Sequence, residues 1–369
     1  MKKDIKYLVL SDIHLGHPNN KTYEIISNLN KFFTLYSKDL INLDLIILAG
    51  DVFDRLLSSR SIEYKQVLAW LSNLLLYCKE NNIILRILYG TPSHDNDQIA
   101  GFTEVASKLA PTADYKYISV LDIEYIPLLD INILYVPDEW KPNADDTYQD
   151  VLKLMKEKGL HQVDIAIMHG CFKYQLPMVD LPFRHTESNY LDIVKYYITI
   201  GHVHTPSAYE RILAPGSFDR LVHGEEECKG GLLCRLFTDG TMSFKFLKNN
   251  YAKTFKTLIY SGLDETTIVN KLKTDLKGLK DDSYVRIEVD NDVKLLSNLK
   301  TFLHNYPKLN IKFKTDKTIL EEVDIIKTSD LHTFEINSDN IEELMLKELD
   351  LNKDELLIFK RELDRAIGN

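Results

Sequence analysis

The sequence predicts an α/β protein, because short apolar runs alternate with segments in which apolar residues recur at helical spacing. Residues 5–10 and 43–49 are apolar almost throughout, as expected for strands that are buried on both faces of a sheet. Residues 25–33 and 61–79 carry the helical pattern. A polar cluster follows each apolar run, and α/β folds place their sites at the carboxyl ends of such strands.

The same alternation continues to about residue 250 and then changes. Further strands are predicted at residues 83–89, 120–125, 131–136, 163–168 and 196–200, and a helix at residues 147–158. Shorter strands are predicted near residues 208–213, 231–237 and 242–246. The βα units therefore finish in an antiparallel sheet. Residues 251–330 predict a small α+β module, and residues 331–369 predict a pair of helices whose exposed apolar faces are typical of a docking element.

The composition is that of an ordinary globular protein. The hydrophobic fraction is 44%, and no apolar run approaches the roughly 18 residues that a membrane-spanning helix requires. The N-terminus lacks the apolar segment of a signal peptide and the 4 cysteines form no CxxC pair, so we expect a cytoplasmic protein without disulfides or a zinc ribbon. The net charge of −10 weighs against coating of nucleic acid through bulk charge, but it does not exclude a nuclease.

Two histidines, His202 and His204, lie in a short GHVH segment that follows the predicted strand at residues 196–200. Side chains two residues apart in a strand point to the same side. In a loop just past the strand end, they can instead converge on two metal ions that lie side by side. A pair of this kind is by itself as consistent with a structural role as with metal binding.

Four other short segments place acidic or histidine side chains directly after an apolar run. Their candidate residues are Asp12, His14, Asp51, Ser93, His94 and His169. Each segment alone is common as a turn, and His17, His185 and His223 are expected to be surface or core residues without a chemical role. Together with the GHVH segment, they predict a single site at the ends of five buried strands.

Carboxylates and neutral imidazoles in one site suit Mn²⁺, Fe²⁺ or Zn²⁺, whereas Mg²⁺ and Ca²⁺ prefer oxygen ligands alone. A carboxylate such as that of Asp51 can bridge two ions. Two ions about 3.5–4 Å apart stabilise the attacking and leaving oxygens of a phosphoryl displacement and lower the pKa of the attacking water. A histidine outside the ligand set can orient the phosphate or protonate the leaving oxygen. The predicted chemistry is phosphoester hydrolysis.

The series DIHLGH, GDVFDR, GTPSHD, MHG and GHVH resembles the signature of the calcineurin-like metallophosphoesterases. The stretch PGSFDRLVHGEEECKGG is similar to one found in a branch of that family, the SbcD-like nucleases of DNA double-strand-break repair. The resemblance covers residues 1–250 and extends to the rest only in layout. It implies a four-layer β-sandwich flanked by helices at residues 1–250, a DNA-holding α+β capping domain at residues 251–330, and a C-terminal helical tail at residues 331–369.

The family also implies partners. In it, the C-terminal segment binds the coiled coil of an SbcC-like ATPase subunit, and the capping domain helps to hold DNA. The resemblance therefore implies DNA and such an ATPase as partners, a homodimer, no membrane contact, and the cytoplasm of a bacterial or phage-infected bacterial cell.

Carried over to this sequence, the resemblance implies two sets of metal ligands that share Asp51. The first set is Asp12, His14, Asp51 and His204. The second set is Asp51, His169 and His202, with Ser93 where the family has a ligating Asn. His94 is implied to contact the scissile phosphate. The implied cofactors are two divalent ions, with Mn²⁺ expected.

The third segment departs from the usual Gly-Asn-His-Asp of the family, because it reads Gly-Thr-Pro-Ser-His-Asp. A hydroxyl is a poorer neutral ligand than an amide oxygen, so the second ion is expected to bind more weakly or to take a water in place of Ser93. Phage-type members of the family share this variant, and we therefore expect an active enzyme.

The function expected is that of a Mn²⁺-dependent DNA exonuclease and endonuclease that works with an ATPase partner in DNA repair, recombination or replication. One alternative is a phosphoesterase for small molecules or phosphoproteins, which needs neither the capping module nor the helical tail. Another is a catalytically weak scaffold that bridges DNA and a partner, for which Ser93 is the sole support.

Overall fold

Two six-stranded sheets form most of the computed structural model, which describes residues 3–177 and 181–315. The first sheet has the order β12 (Met242–Lys248), β11 (Gly230–Leu236), β1 (Ile5–Leu10), β2 (Leu45–Ala49), β3 (Ile84–Leu88) and β4 (Tyr115–Ile118). Strands β1 to β4 pair in parallel, and β11 and β12 add to the other side of β1 in antiparallel pairs. The antiparallel strands that the sequence predicts near residues 231–237 and 242–246 are thus part of the first sheet.

The second sheet has a parallel centre as well. Its order is β5 (Asp122–Ile126), β6 (Ile131–Val136), β7 (Ile165–Gly170), β8 (Ile198–His202), β10 (Ile212–Ala214) and β9 (Ser207–Tyr209). Strands β6, β7, β8 and β10 are parallel to one another, whereas β5 and β9 close the two edges in antiparallel pairs. The strands that are central in the two sheets end at polar segments.

Helices cover the outer faces of the two sheets. They are α1 (Thr22–Leu35), α2 (Ile62–Glu80), α4 (Gln98–Leu109), α5 (Ala144–Glu157) and α6 (Glu187–Ile193), whereas α3 (Pro92–Asp95) is a single turn after β3. The Ser61 side chain accepts a hydrogen bond from the Tyr64 backbone N–H and so caps α2 at its N-terminus. After α2, Asn82 adopts a φ of 55°, which stops the helix.

The period-2 pattern of the strands accounts for the layers. In β1, Leu8 and Leu10 pack into the core under the helices of the first sheet, whereas Tyr7 and Val9 pack into the core between the sheets. In β7, Ile167 faces the core between the sheets from the other side. A third core lies between the second sheet and its helices. The four-layer α/β sandwich flanked by helices that the sequence predicts is therefore confirmed.

Several elements differ from the sequence prediction. The single strand predicted near residues 208–213 is two short strands, β9 and β10, because Glu210 adopts a φ of 50° and turns the chain between them. The sequence pattern also missed α4, β4 and α6. In α4 the buried residues form a narrow stripe that includes the polar Gln98, and β4 is only four residues long.

A third sheet follows at residues 255–315. It has the order β13 (Phe255–Ile259), β14 (Tyr284–Val289) and β15 (Asn310–Thr315), and it is accompanied by α7 (Glu265–Asp275) and α8 (Val293–Leu303). Asp264 and Asp292 cap the two helices with their side chains. These elements are the small α+β module that the sequence predicts for this region.

The chain divides into two compact units, of which the first consists of residues 1–288 and 292–313. The second consists of residues 289–291 and 314–369, and only residues 289–291 and 314–315 of it are described. The domain boundaries predicted at residues 250 and 330 stay predictions. The predicted helical tail at residues 331–369 lies outside the described residues. Among the described helices, none is long and apolar enough to cross a membrane.

One buried ion pair joins the two sheets. Arg86 of β3 points toward the other sheet, and its Nε and Nη2 donate to the Glu124 carboxylate of β5 at 2.9 and 3.0 Å. The Arg86 side chain is 4% exposed. The Tyr135 hydroxyl donates to the same carboxylate at 3.0 Å. Glu124 is therefore held by a cation that has little access to water.

We expect Arg86→Ala to lower the free energy of unfolding by about 3 kcal/mol, because it leaves the Glu124 carboxylate without its cation in a partly buried position. Urea unfolding followed by circular dichroism measures the change. The control is Lys108→Ala, which removes the exposed partner of Glu104 and should cost less than about 1 kcal/mol. Equal effects of the two substitutions would contradict the special role of the buried pair.

Candidate metal centre

The candidate residues meet because they lie at the carboxyl ends of parallel strands in both sheets. Residues after β1, β2 and β3 come from the first sheet, and residues at the ends of β7 and β8 come from the second. The residues brought together are Asp12, His14, Asp51, His94, His169, His202 and His204. The sequence expectation that strand-end segments converge thus describes the arrangement of these seven residues.

Four of these residues have a backbone conformation that residues other than glycine rarely adopt. The φ angles are 50° at Asp12, 53° at His14, 49° at Asp51 and 100° at His202. Backbone N–H groups of Ile13 and His14 donate to the Asp51 carbonyl at 2.9 and 3.0 Å, and these bonds lock two of the segments together. Such strain costs free energy of order 1–3 kcal/mol per residue and is characteristic of functional sites.

His202 is part of a strand, in contrast to the predicted loop. It is the last residue of β8 and pairs with Gly170 of β7, so that only His204 lies past the strand end. The φ of 100° at His202 turns the chain at this point. Because of this turn, the two histidines join different ligand sets.

Two glycines permit the close packing of these segments. A Cβ on Gly50 would lie 2.1 Å from Nδ1 of His169, and a Cβ on Gly201 would lie 2.0 Å from the Ser11 hydroxyl. Neither contact is sterically possible. The sequences Gly50-Asp51 and Gly201-His202 therefore need glycine so that the two sheets can approach at the site.

The first ligand set consists of Asp12, His14 and His204, whose ligand atoms lie within 4.8 Å of one another. Nε2 of His14 is 3.1 Å from Nε2 of His204. On the opposite side of each ring, Nδ1 of His14 lies 3.1 Å from Oδ1 of Asp54, and Nδ1 of His204 lies 2.7 Å from Oε1 of Glu225. An ionised carboxylate only accepts hydrogen bonds, so each Nδ1 carries the proton.

This tautomer assignment shows that the first set fits a cation. With the protons on Nδ1, the Nε2 lone pairs of His14 and His204 face each other at 3.1 Å, which is unfavourable without a positive charge between them. The carboxylate of Asp12 faces the same space, with Oδ1 4.0 Å from Nε2 of His204. Imidazole lone pairs and a carboxylate that converge in this way form a ligand set for a divalent transition metal.

The second ligand set consists of Asp51, His169 and His202. Nδ1 of His169 donates to the Ala49 carbonyl at 2.7 Å, which leaves the lone pair on Nε2. This Nε2 atom is buried, has no hydrogen-bond partner, and lies 3.3 Å from Oδ1 of Asp51. A buried imidazole nitrogen of this kind costs free energy unless a ligand occupies the space before it. The second set therefore also fits a metal ion.

Asp51 belongs to the second set and also faces His14 of the first. Its Oδ1 faces His169, whereas its Oδ2 lies 3.7 Å from Nε2 of His14 and 2.8 Å from Nδ1 of His94. Burial raises the pKa of the Asp51 carboxyl, but the imidazoles of His169, His94 and His14 outweigh burial, and the pKa lies well below its usual range. The carboxylate is thus ionised and has an oxygen directed at each set, as a bridging ligand requires.

The carboxylates in turn favour positive charge at the site. The hydrogen bond to Asp51 raises the pKa of His94. Burial lowers the pKa of His169, but the carboxylates of Asp51 and Asp12 raise it overall. Burial likewise lowers the pKa of His204, but the carboxylates of Glu225 and Asp12 raise it overall. The same negative potential that favours protons on these rings favours divalent cations, which compete with those protons.

A buried lysine supports the first set from outside. Lys229 is 0% exposed, and its Nζ donates to the Glu227 carboxylate at 2.7 Å and to the His204 carbonyl at 3.0 Å. It also lies 3.2 Å from Oε2 of Glu225. Burial raises the pKa of Glu225, but its bond to His204 and the charge of Lys229 lower it to about 2. Glu225 therefore stays ionised and orients the His204 ring.

A second buried carboxyl, that of Asp95, supports the loop after β3. It accepts hydrogen bonds from the backbone N–H groups of Gly90 at 2.8 Å and Phe53 at 3.0 Å. Burial and the negative charge of Asp51 raise the pKa of Asp95 to about 7. Asp95 fixes the segments after β2 and β3 relative to each other and so places His94.

The structure brings Thr91, and not Ser93, to the second ligand set. The Thr91 backbone N–H donates to Oδ1 of Asp51 at 2.6 Å, and its Oγ1 lies 3.2 Å from Nδ1 of His202. Ser93 is exposed on α3, a single helical turn that begins at Pro92 and turns this residue away from the cluster. The geometry therefore favours Thr91 at the position that sequence comparison assigns to Ser93.

Sequence reasoning missed several residues that complete the centre. They are Asp54, Thr91, Asp95, Asp138, Glu225 and Lys229. A signal was present for Asp138, because it follows the predicted strand at residues 131–136 as the other candidates follow theirs. Glu225 had no such signal, since its contact with His204 depends on how a long loop folds back.

Comparison with known proteins gives distant likenesses only. No protein-family model and no curated protein matches this sequence. A novel archaeal phosphodiesterase of known structure is 13% identical with a TM-score of 0.32, over 66% of this chain and 100% of its own. TT1561 of Thermus thermophilus is 12% identical with a TM-score of 0.39, over 66% of this chain and 99% of its own.

A third structure, GAP50, the anchor in the inner membrane complex of Plasmodium, is 14% identical with a TM-score of 0.38, over 68% of this chain and 86% of its own. Likenesses at this level do not define a family or an activity. The fold assignment rests on the chain's own sheet order and layers, and the site assignment rests on the distances given above.

We expect Asp51→Asn to abolish high-affinity binding of two Mn²⁺ ions, because the shared ligand loses its charge and each set loses a carboxylate. Calorimetric titration of the metal-free protein with Mn²⁺ measures both events. Asp97→Asn is the matched control, because Asp97 is an exposed carboxylate near α3 that accepts a hydrogen bond from the Tyr117 hydroxyl. Two binding events of unchanged affinity in the Asp51 variant would contradict the shared-ligand assignment.

Proposed function

We propose that this chain is a metal-dependent phosphodiesterase of the calcineurin-like metallophosphoesterase type, and specifically an SbcD-like DNA nuclease. The observation that carries the proposal is the pair of ligand sets on either side of the Asp51 carboxylate, with the lone pairs of three imidazoles directed into them. Asp12, His14, Asp51 and His204 would hold one ion, and Asp51, His169 and His202 the other. When bound, such a pair of ions lowers the pKa of water and neutralises charge on phosphate oxygens.

His94 is the residue proposed to act on the substrate itself. Its side chain is 36% exposed at the edge of the cluster, so a phosphate group can reach it. Nδ1 is held at 2.8 Å from Oδ2 of Asp51, and this hydrogen bond raises the pKa of the ring. A protonated imidazole at this position can stabilise negative charge on the phosphate and give a proton to the leaving oxygen.

The openness of the site supports a polymeric substrate. The side chains of His94, His202 and His204 are 36%, 35% and 30% exposed, whereas His169 and Asp12 are fully buried. The ligand sets are therefore accessible from solvent at these three histidines, where the backbone of a long DNA strand could reach them. A small phosphoester needs an enclosing pocket for affinity, so an open site gives less support to the small-molecule alternative.

Local positive charge on the third sheet supports DNA binding in spite of the net charge of −10. His223 lies against this sheet, with its ring 5.1 Å from that of Phe255. Burial first, and then the charges of Arg286 and Lys312, lower the pKa of His223 to about 4. His223 is close in sequence to Glu225, which binds His204. Two cations of the third sheet, Arg286 and Lys312, thus lie near the short loop that leads to the candidate centre.

The remaining parts of the proposal depend on sequence resemblance. They are the use of Mn²⁺, a homodimer, an SbcC-like coiled-coil ATPase that binds residues 331–369, and action in the cytoplasm. The stretch at residues 215–231 has a second explanation in the structure, because Glu225 and Lys229 support His204. It therefore supports a metal centre as much as it supports a nuclease.

We expect the wild-type protein to cut double- and single-stranded DNA with Mn²⁺, and chelator to abolish cutting. His94→Gln should reduce cleavage by about 10² to 10⁴-fold, the usual loss for one acid–base or electrostatic contact, and should keep both ions. Gel-based nuclease assays and metal analysis measure the two effects. His161→Gln, at an exposed histidine, is the control. Loss of bound Mn²⁺ from the His94 variant would show that His94 is a ligand.

The double substitution Arg286→Gln with Lys312→Gln should weaken DNA binding. It should also make the fall of log K with log salt concentration shallower by about 1 to 2 in slope, because up to two phosphate contacts are lost. Hydrolysis of a small chromogenic phosphodiester should not change. Substitution of Lys108 and Lys245 by Gln, two lysines on α4 and β12, is the control of equal charge. An unchanged salt slope would exclude the third sheet as a DNA-binding surface.

A further inference from the structure

A further carboxylate, that of Asp138, lies at the edge of the second ligand set. It follows β6 by two residues, and β6 runs parallel to β7, whose end carries His169. The Asp138 side chain is 10% exposed. Its position obeys the same rule as the other candidates, because it follows a parallel strand at its carboxyl end. Glu139, the next residue, is exposed.

Three groups converge on the hydroxyl of Thr91. Its Oγ1 lies 3.0 Å from Oδ2 of Asp138, 3.2 Å from Oδ2 of Asp51 and 3.2 Å from Nδ1 of His202. Oδ2 of Asp138 is itself 3.4 Å from Nδ1 of His202. A hydroxyl has one proton to donate, so it can satisfy one of the two carboxylates and not both.

The two carboxylates beside Thr91 create a demand for positive charge. Asp51 and Asp138 are both acceptor-only when ionised, and close carboxylates repel each other in a poorly hydrated site. The imidazole of His169 lies on the far side of Asp51, where it already faces Oδ1. Because Asp51 also accepts from the Thr91 backbone N–H and from Nδ1 of His94, the Thr91 hydroxyl can donate to Asp138. A divalent cation between the two carboxylates and the His202 ring would relieve the repulsion that remains between the carboxylates.

We propose that Asp138 is a direct oxygen ligand of the second metal ion, beside Asp51, His169 and His202. The inference rests on the proposed function, since it requires that the second set binds an ion. A carboxylate suits Mn²⁺, and it raises the number of protein ligands in this set to four. Thr91 then has the role of an orienting residue whose hydroxyl donates to a ligating carboxylate.

The first test is Mn²⁺ binding followed by electron paramagnetic resonance of the free ion. We expect Asp138→Asn to weaken one of the two binding events by about tenfold or more and to leave the other unchanged, because the second set loses a negative charge. Glu139→Gln makes the same change of charge one residue away and should alter neither event. Unchanged affinity for both ions in the Asp138→Asn protein would overturn the proposal.

A second test separates a ligand from a residue that only positions His202. Asp138→Cys places a thiolate at this position, and a thiolate bound directly to Co²⁺ gives an intense charge-transfer band in the near ultraviolet. We expect this band in the Co²⁺-loaded Asp138→Cys protein, and not in the wild type or in Glu139→Cys. An Asp138→Cys protein that binds two Co²⁺ ions without the band would overturn direct coordination.

Circular dichroism and thermal unfolding in chelator establish that each metal-free variant is folded. If Asp138→Asn does not fold, the charge-transfer band of the Asp138→Cys protein decides whether residue 138 coordinates the ion directly. The wild-type titration separates this proposal from the proposed function. Wild-type protein that binds no ion overturns both, whereas wild-type protein that binds two ions with equal affinity in the Asp138→Asn variant overturns the role of Asp138 alone.

Discussion

The carboxylate of Asp51 is the constraint on which the rest of the structure depends. Its two oxygens face different imidazoles, and it can do so because four segments from two sheets meet around it. That meeting requires left-handed backbone at Asp51 itself and a glycine before it, since a side chain on Gly50 would collide with His169. The strained backbone is maintained by the hydrogen bonds between segments and by the surrounding core.

The sequence predicted the strands that carry the site better than the elements that surround them. A strand between two apolar layers, such as β6, is apolar almost throughout, and its predicted and observed limits agree. Elements with one narrow buried stripe, such as α4, carry a weak pattern and were missed. The polar residues at strand ends were found for the same reason as the strands, because the position of a strand end fixes where its side chains lie.

The segment that carries Ser93 shows the limit of that reasoning. Strand-end logic locates a segment, but it does not say which residue of a longer segment faces inward. In the loop after β3, the single turn of α3 carries Ser93 outward and leaves Thr91 against Asp51. The partners of the ligands were beyond reach for another reason, because Glu225 meets His204 only through the folded path of residues 215–229.

The location of the two ligand sets has a consequence for how the protein holds together. Asp12 and Asp51 extend from the first sheet, whereas His169 and His202 extend from the second, so an ion held between them would join the two sheets at the carboxyl ends of their strands. An ion that binds only the folded chain adds its binding energy to the free energy of unfolding, about 2.7 kcal/mol for a free ion at 100 times its dissociation constant. With an ion held there, the resistance of this chain to heat and to proteolysis would depend on its ionic surroundings as well as on its apolar cores.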